Sequence, residues 1–119
     1  MQLPIFLTIA AEPSVLMTVV SKYQGYKIAF ATWANMSDRE LHTHIGMLVF
    51  VLTMVILRRR LDSPWPWIGA VVAEGVNEYF DSVAYGSWRW PDTRLDIAYT
   101  LVWPTLIFLC ARGGLITRR

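Results

Sequence analysis

The chain has 119 residues, which fits one domain and leaves no room for two. Only 17% of them are charged against 55% hydrophobic, short of the roughly 25% charge of a soluble domain, so an integral membrane protein is expected over a buried-core soluble helical one. A net charge of +2 without a basic, aromatic-interleaved helix gives no footing for a nucleic-acid partner. The lone Cys110 excludes an intramolecular disulfide and a Cys-based zinc site.

Four apolar segments follow in chain order, and no internal repeat or low-complexity stretch breaks them. The first, about Leu3 to Val20, is interrupted by Pro4 and by Glu12-Pro13. Pro13 suits the first position of a helical turn with Glu12 near the cap. A charge near its middle makes this the weakest crossing candidate, and without a charged start or a small-residue cleavage site it is expected to be retained. Next comes SKYQGYKIAFATWANMSDRE, whose mixture of lysines and aromatics suits the headgroup region. An extended first helix reads similarly.

The second crossing is expected from Leu41 to Leu57, stopped by Arg58, Arg59 and Arg60; its length is at the short end of the spanning range. After Asp62-Ser63, Pro64 or Pro66 starts the third helix, WPWIGAVVAEGVNEYFDSVAYG. The fourth is DTRLDIAYTLVWPTLIFLCAR, with a kink expected at Pro104 and an end at Gly113-Gly114. Short links make the last three helices antiparallel neighbours. The arginines at 58–60, 112, 118 and 119 place the 58–64 link and the C-terminus in the cytoplasm, although Lys22, Lys27, Arg39, Arg89 and Arg94 fall on the other face. Residues 1–119 are therefore expected to form one all-α, polytopic membrane bundle of about four segments.

Glu74, Asn77, Glu78 and Asp81 interrupt the third apolar run at i, i+3, i+4 and i+7, a single helical stripe. Intramembrane ionisable groups normally turn into the bundle and mark functional sites. Antiparallel packing brings this stripe beside Asp38 and His42 at the start of the second helix. Asp96 joins them at the start of the fourth, with Tyr99, Thr100 and Trp103 expected on its face. Glu74 and Glu78 stand on neighbouring turns about 6 Å apart, which disfavours double ionisation and makes them a coupled pair. The expected ligand-binding set is His42, Glu74, Asn77, Glu78, Asp81, Arg89 and Asp96, with no catalytic residue and no metal ligand assigned.

Plainer readings stand beside these. Asp81 near a helix end reads as solvated, and His42 as a histidine hydrogen-bonded to an acid within the bundle. His44 reads as interfacial, and Cys110 as a small core residue. His42, Glu74 and Glu78 offer N and O donors to a metal, with nothing diagnostic in the spacing, and a tetrapyrrole on His42 or His44 is disfavoured by their place at a helix end. Trp65, Trp67, Trp88, Trp90 and Trp103 read as an interfacial aromatic belt, Asp92 as a turn or cap residue. Arg89 and Arg94 suit either lipid phosphate or pairing with Asp81, Asp92 and Asp96.

The runs SDRELHTHIG, AEGVNEY and DIAYT together resemble the VanZ-like family of small bacterial membrane proteins over residues 37–105. Asp38, Arg39 and His42 match its acidic-basic pair before a histidine. Glu74 with Asn77 matches its Glu followed three residues later by an amide, and Arg89 or Arg94 with Asp96 match its Arg and Asp. Arg39 stands where Lys is usual, Asn77 where Gln is usual, and Tyr99 or Thr100 where an Asn is usual. The resemblance implies a multi-pass protein of the bacterial inner membrane with envelope functions, including low-level teicoplanin resistance, and names no reaction.

The leading expectation is a non-enzymatic envelope protein whose polar pocket binds a lipid headgroup, glycopeptide or similar polar ligand, with membrane lipids as partners. One rival is an enzyme on a lipid-linked substrate, with Glu74 or Glu78 as base. Another is an accessory subunit of a respiratory or photosynthetic assembly, with other membrane subunits as partners. The sequence identifies no cofactor.

Overall fold

The computed structural model describes residues 14–116; the interrupted apolar run through Pro13 lies outside them, as does the tail at Arg118 and Arg119. Four helices account for most of the described chain: α1 (Val15–Trp33), α2 (Asp38–Ile56), α3 (Pro64–Tyr85) and α4 (Trp90–Arg112). No strand occurs among the described residues.

Local sequence sets each boundary. Ser14, Ser37 and Ser63 are N-caps whose hydroxyls accept from the first-turn backbone. Ser37 and Glu40 form a reciprocal capping box, with Ser37 N donating to Glu40 Oε2 at 2.7 Å and Glu40 N to Ser37 Oγ at 3.2 Å. Pro64 takes the first turn of α3, where its missing N–H costs nothing. Three helices close with paired backwards hydrogen bonds around a left-handed residue: Met36 N to Ala31 O, Arg59 N to Met54 O and Leu115 N to Cys110 O, each 2.9 Å. Asn35, Arg58 and Gly114 hold the left-handed position in these Schellman turns. The second helix thus opens at Asp38 and ends at Ile56, and the arginines that follow close it by turning the backbone.

α2 packs on both α3 and α4, α3 packs on α4, and α1 lies along α3. Two glycines permit the tightest crossings. A Cβ at Gly46 would stand 2.3 Å from the Thr100 carbonyl oxygen, and one at Gly69 would stand 2.4 Å from Thr53 Oγ1. Thr100 lies four residues before Pro104, which has no N–H to offer its carbonyl. The carbonyl released from the α4 ladder is therefore the one against which Gly46 brings α2. Towards the opposite end, Trp67 Nε1 donates to Thr105 Oγ1 at 2.9 Å and its ring stacks on Phe108.

Beside apolar core residues such as Val20, Leu41 and Phe50, the interior holds a band of polar side chains, and many large apolar ones lie outside. Buried side chains on α3 and α4 include Glu74, Asn77, Glu78, Thr93, Asp96 and Thr100, while Leu48, Val55, Val72, Val76, Leu106 and Leu109 are exposed. α2 and α4 are long and apolar enough to cross a membrane. The 21–40 stretch adopts the extended-helix alternative as far as Trp33: α1 turns Lys27 against α3 and leaves Lys22 exposed. Tyr99 and Trp103 do not share the inward face of Asp96 and are 41% and 52% exposed. The buried face of α4 runs through Thr93, Asp96, Thr100 and Pro104 instead, so its stripe leans to the i+4 side.

Gly46→Ala is expected to lower the stability of the detergent-solubilised protein by about 1–3 kcal/mol, because α2 and α4 must separate. Gly75→Ala, with open space around it, is expected to be neutral or to gain up to about 1 kcal/mol from helix propensity. Thermal unfolding followed by circular dichroism compares the two; equal effects would contradict the close crossing.

Candidate functional site

The polar stripe of α3 is covered from three sides. Glu74, the deepest member, meets α4 and α2: Thr100 Oγ1 donates to its Oε2 at 2.8 Å, and His42 Nδ1 lies 3.3 Å from the same oxygen and 3.1 Å from Thr100 Oγ1. With Thr100 spending its proton on Glu74, the arrangement orients a proton on Nδ1 toward this pair. The other ring nitrogen, Nε2, faces Asp38 Oδ2 and Asp96 Oδ2, each at 3.6 Å. That distance exceeds a hydrogen bond, and Nε2 and Glu74 Oε1 are both buried without a hydrogen-bond partner.

One turn on, α1 supplies the partners. Tyr23 Oη donates to Asn77 Oδ1 at 2.6 Å, and Lys27 Nζ lies 2.8 Å from Asp81 Oδ1 and 3.3 Å from Asn77 Oδ1. Gln24 also donates to Asp81. The side chains of Lys27 and Asp81 are 14% and 15% exposed, so Asp81 is an ion-pair member and not a freely solvated residue. Asn77 passes the connection along α3, its Nδ2 donating to Glu78 Oε1 at 3.3 Å. Glu74 is held by His42 and Thr100 and Glu78 by Asn77, and the two carboxyl groups remain in interaction with each other, as their spacing on neighbouring turns implied.

The structure therefore brings together six of the seven residues singled out in the sequence, His42, Glu74, Asn77, Glu78, Asp81 and Asp96. The seventh, Arg89, lies on the rim. It opens α4 in the left-handed conformation, pairs with Asp92 and lies over the Tyr85 ring. Asp92 sits in the first turn of α4 as the partner of Arg89. His44 is exposed, with Nδ1 on the Glu40 carbonyl oxygen at 2.7 Å.

Sequence reasoning missed Tyr23, Gln24, Lys27 and Thr93. The signal for the first group is spacing: Tyr23 and Lys27 are i, i+4, as are their partners Asn77 and Asp81. Two parallel helices in register match such pairs rung by rung. Thr93, whose hydroxyl donates to the Trp88 carbonyl, is buried beside the cluster as one turn before Asp96.

Two cavities flank the cluster. A polar vestibule of about 550 Å³ lies at the ends of the helices and includes Asp38, Arg39, Glu78, Asp81, Arg89 and Asp96. An apolar groove of about 340 Å³ runs between α1 and α2 over α3, with Tyr26, Phe30, Ile45, Val49 and Ala73 along it and His42 and Glu74 at its base. Lys27 borders both cavities. Five carboxylates, Asp38, Glu74, Glu78, Asp81 and Asp96, gather around one lysine and one imidazole, so the cluster attracts cations and hydrogen-bond donors.

Lys27→Met is expected to destabilise by about 1–3 kcal/mol, since it strands Asp81 among half-buried neighbours. The double variant with Asp81→Asn should recover part of the loss, giving a coupling energy of about 1–3 kcal/mol in a double-mutant cycle of thermal unfolding. Strictly additive effects would deny the pair.

No family model, curated protein or solved structure matches the chain.

Proposed function

We propose that this chain is an integral membrane protein of the VanZ-like type that binds an amphiphile, holding the apolar chain in the α1–α2 groove and a hydroxyl- or amine-bearing headgroup against the acidic vestibule. The observation that carries this reading is the adjacency of the two cavities, one apolar and lateral, one polar and terminal, meeting at Lys27. A lipid has that polarity profile. Excess carboxylate in the vestibule favours donor groups over a bare phosphate.

The membrane placement rests on the inversion of polarity. Large apolar side chains point outward along α2, α3 and α4, while carboxylates and an amide point inward; in water that distribution forfeits the hydrophobic driving force, and in a bilayer it is the favourable one. α1 and α3 complete the crossing set beside α2 and α4. All the buried acids then gather near one leaflet, at the ends marked by Asp38, Asp81 and Asp96. Lys27 is internally paired and does not count as a free loop charge, which strengthens the positive-inside assignment of the 58–64 link and C-terminus to the cytoplasm. The site then faces the periplasmic side of a bacterial inner membrane. The hydroxyl that lies beside a base, Thr100 Oγ1 next to Glu74 and His42, is buried and engaged by both, so binding describes the site better than catalysis.

In a Cys110→Ser background, Ser87→Cys in whole cells should react with a membrane-impermeant maleimide, and Arg59→Cys only after permeabilisation; the reverse pattern would invert the topology. Ala73→Phe, which fills the groove at a residue that does not line the vestibule, should weaken binding of a glycolipid or phosphatidylethanolamine probe at least about tenfold with helicity retained. Native mass spectrometry of the solubilised protein reads the binding and circular dichroism the helicity. Unaltered binding in Ala73→Phe would sink the groove as the chain-binding element, and obligatory recovery with a second membrane protein would favour the subunit reading.

A further inference from the structure

We infer that His42, Glu78, Asp81 and Asp96 form a binding site for a divalent transition-metal ion such as Zn2+ or Mn2+. This goes beyond amphiphile binding and does not depend on it. One donor atom from each of these four residues lies within 4.8 Å of the others. A cluster of acids alone means little; the imidazole makes the difference. The His42 side chain is 5% exposed, and Nε2 is fully buried, without a hydrogen-bond partner, facing two carboxylate oxygens at 3.6 Å.

That geometry calls for a positive charge between the groups. Nδ1 is turned to Glu74 and Thr100, which leaves Nε2 facing Asp38 and Asp96, where a bound ion would take the place of the Nε2 proton between nitrogen and carboxylates. Donors held about 2.1 Å from a tetrahedral ion stand about 3.4 Å apart; His42 Nε2 and Asp96 Oδ2 are 3.6 Å apart, and the other donors, within 4.8 Å of one another, would draw in around a bound ion. The Glu74–His42 contact, 3.3 Å, supplies the carboxylate behind the histidine that fixes the tautomer of metal-ligating imidazoles. Thr100, 2.8 Å from Glu74, steadies that carboxylate in turn.

The surrounding charge points the same way. The carboxylates of Asp38, Glu74, Glu78, Asp81 and Asp96 outnumber the nearby cations Lys27, Arg39 and Arg89, of which Arg89 is paired with Asp92 and Lys27 engages Oδ1 of Asp81. One nitrogen and three oxygen donors without sulfur suit Zn2+ or Mn2+ and disfavour a soft ion such as Cu+. The vestibule opens onto the helix ends and gives the ion a path from the aqueous side.

Titration of the purified, EDTA-stripped protein in detergent with Zn2+, and with Mn2+ followed by electron paramagnetic resonance, tests the site. One ion per chain is expected. His42→Gln and Asp96→Asn should each weaken it at least about tenfold, and Asp92→Asn, outside the cluster, should leave it unchanged. In 15N spectra of the histidine-labelled wild type, Zn2+ should shift His42 Nε2 while Nδ1 stays protonated, a readout that survives even if the variants fail to fold. Absence of stoichiometric binding, equal binding in His42→Gln, or a His42 that stays doubly protonated in saturating Zn2+ would overturn the site. Amphiphile binding measured in EDTA is a separate outcome, so loss of either reading leaves the other standing.

Discussion

In the membrane placement proposed above, the constraint on which this structure depends is the cost of a carboxylate that meets hydrocarbon, about 3 kcal/mol for an aspartate at mid-membrane on insertion scales. α3 carries three acids and an amide within two turns. It is tolerable between acyl chains only if other helices cover that stripe. Each neighbour brings a partner: His42 from α2, Thr100 from α4, Tyr23 and Lys27 from α1. The bundle is organised around satisfying α3, and its apolar side chains are left to face outward. Packing follows the same demand, since Gly46 lets α2 approach α4 at Thr100, where the hydroxyl that serves Glu74 resides.

Satisfaction is incomplete, and the remainder is informative. Tyr23, Gln24 and Lys27 complete the outer part of the stripe, whereas His42 Nε2 and Glu74 Oε1 stay buried without partners. Buried polar atoms are paired in the great majority of native structures, so an orphan facing a cluster of acids marks a place for a ligand or an ion. The same cluster borders an apolar groove. Polar recognition beside a lateral apolar slot is the physical basis for reading the protein as a binder of amphiphiles.

Much of this was legible in the chain itself. The i, i+3, i+4, i+7 spacing of Glu74, Asn77, Glu78 and Asp81 placed them on one face, and all are turned inward. Short links implied antiparallel neighbours, which brought Asp38, His42 and Asp96 to the same end. Pro64 and Gly113-Gly114 marked the start of α3 and the end of α4, whereas the serine caps were not anticipated and α2 opens at Asp38, three residues before the expected Leu41. The role of α1 was not legible, because Lys27 and Tyr23 among aromatics look the same whether they face headgroups or a partner helix. Only the match of two i, i+4 pairs across helices separates those readings, and that is a tertiary fact. The inward face of α4 was misjudged at Tyr99 and Trp103 because Asp96 alone does not fix the lean of a stripe. Its direction is set by where Gly46 admits Thr100.

The most direct test of the shielded stripe is a distance measurement in a lipid bilayer. Rotational-echo double resonance between lysine 15Nζ and aspartate 13Cγ, in a Lys22→Arg background that leaves Lys27 as the only lysine, reads the α1–α3 contact. The account predicts dephasing from one aspartate at about 3–4 Å, the separation of a hydrogen-bonded ion pair. A nearest lysine–aspartate distance beyond about 6 Å would place Asp81 without its partner and contradict the claim that α1 shields the acids of α3.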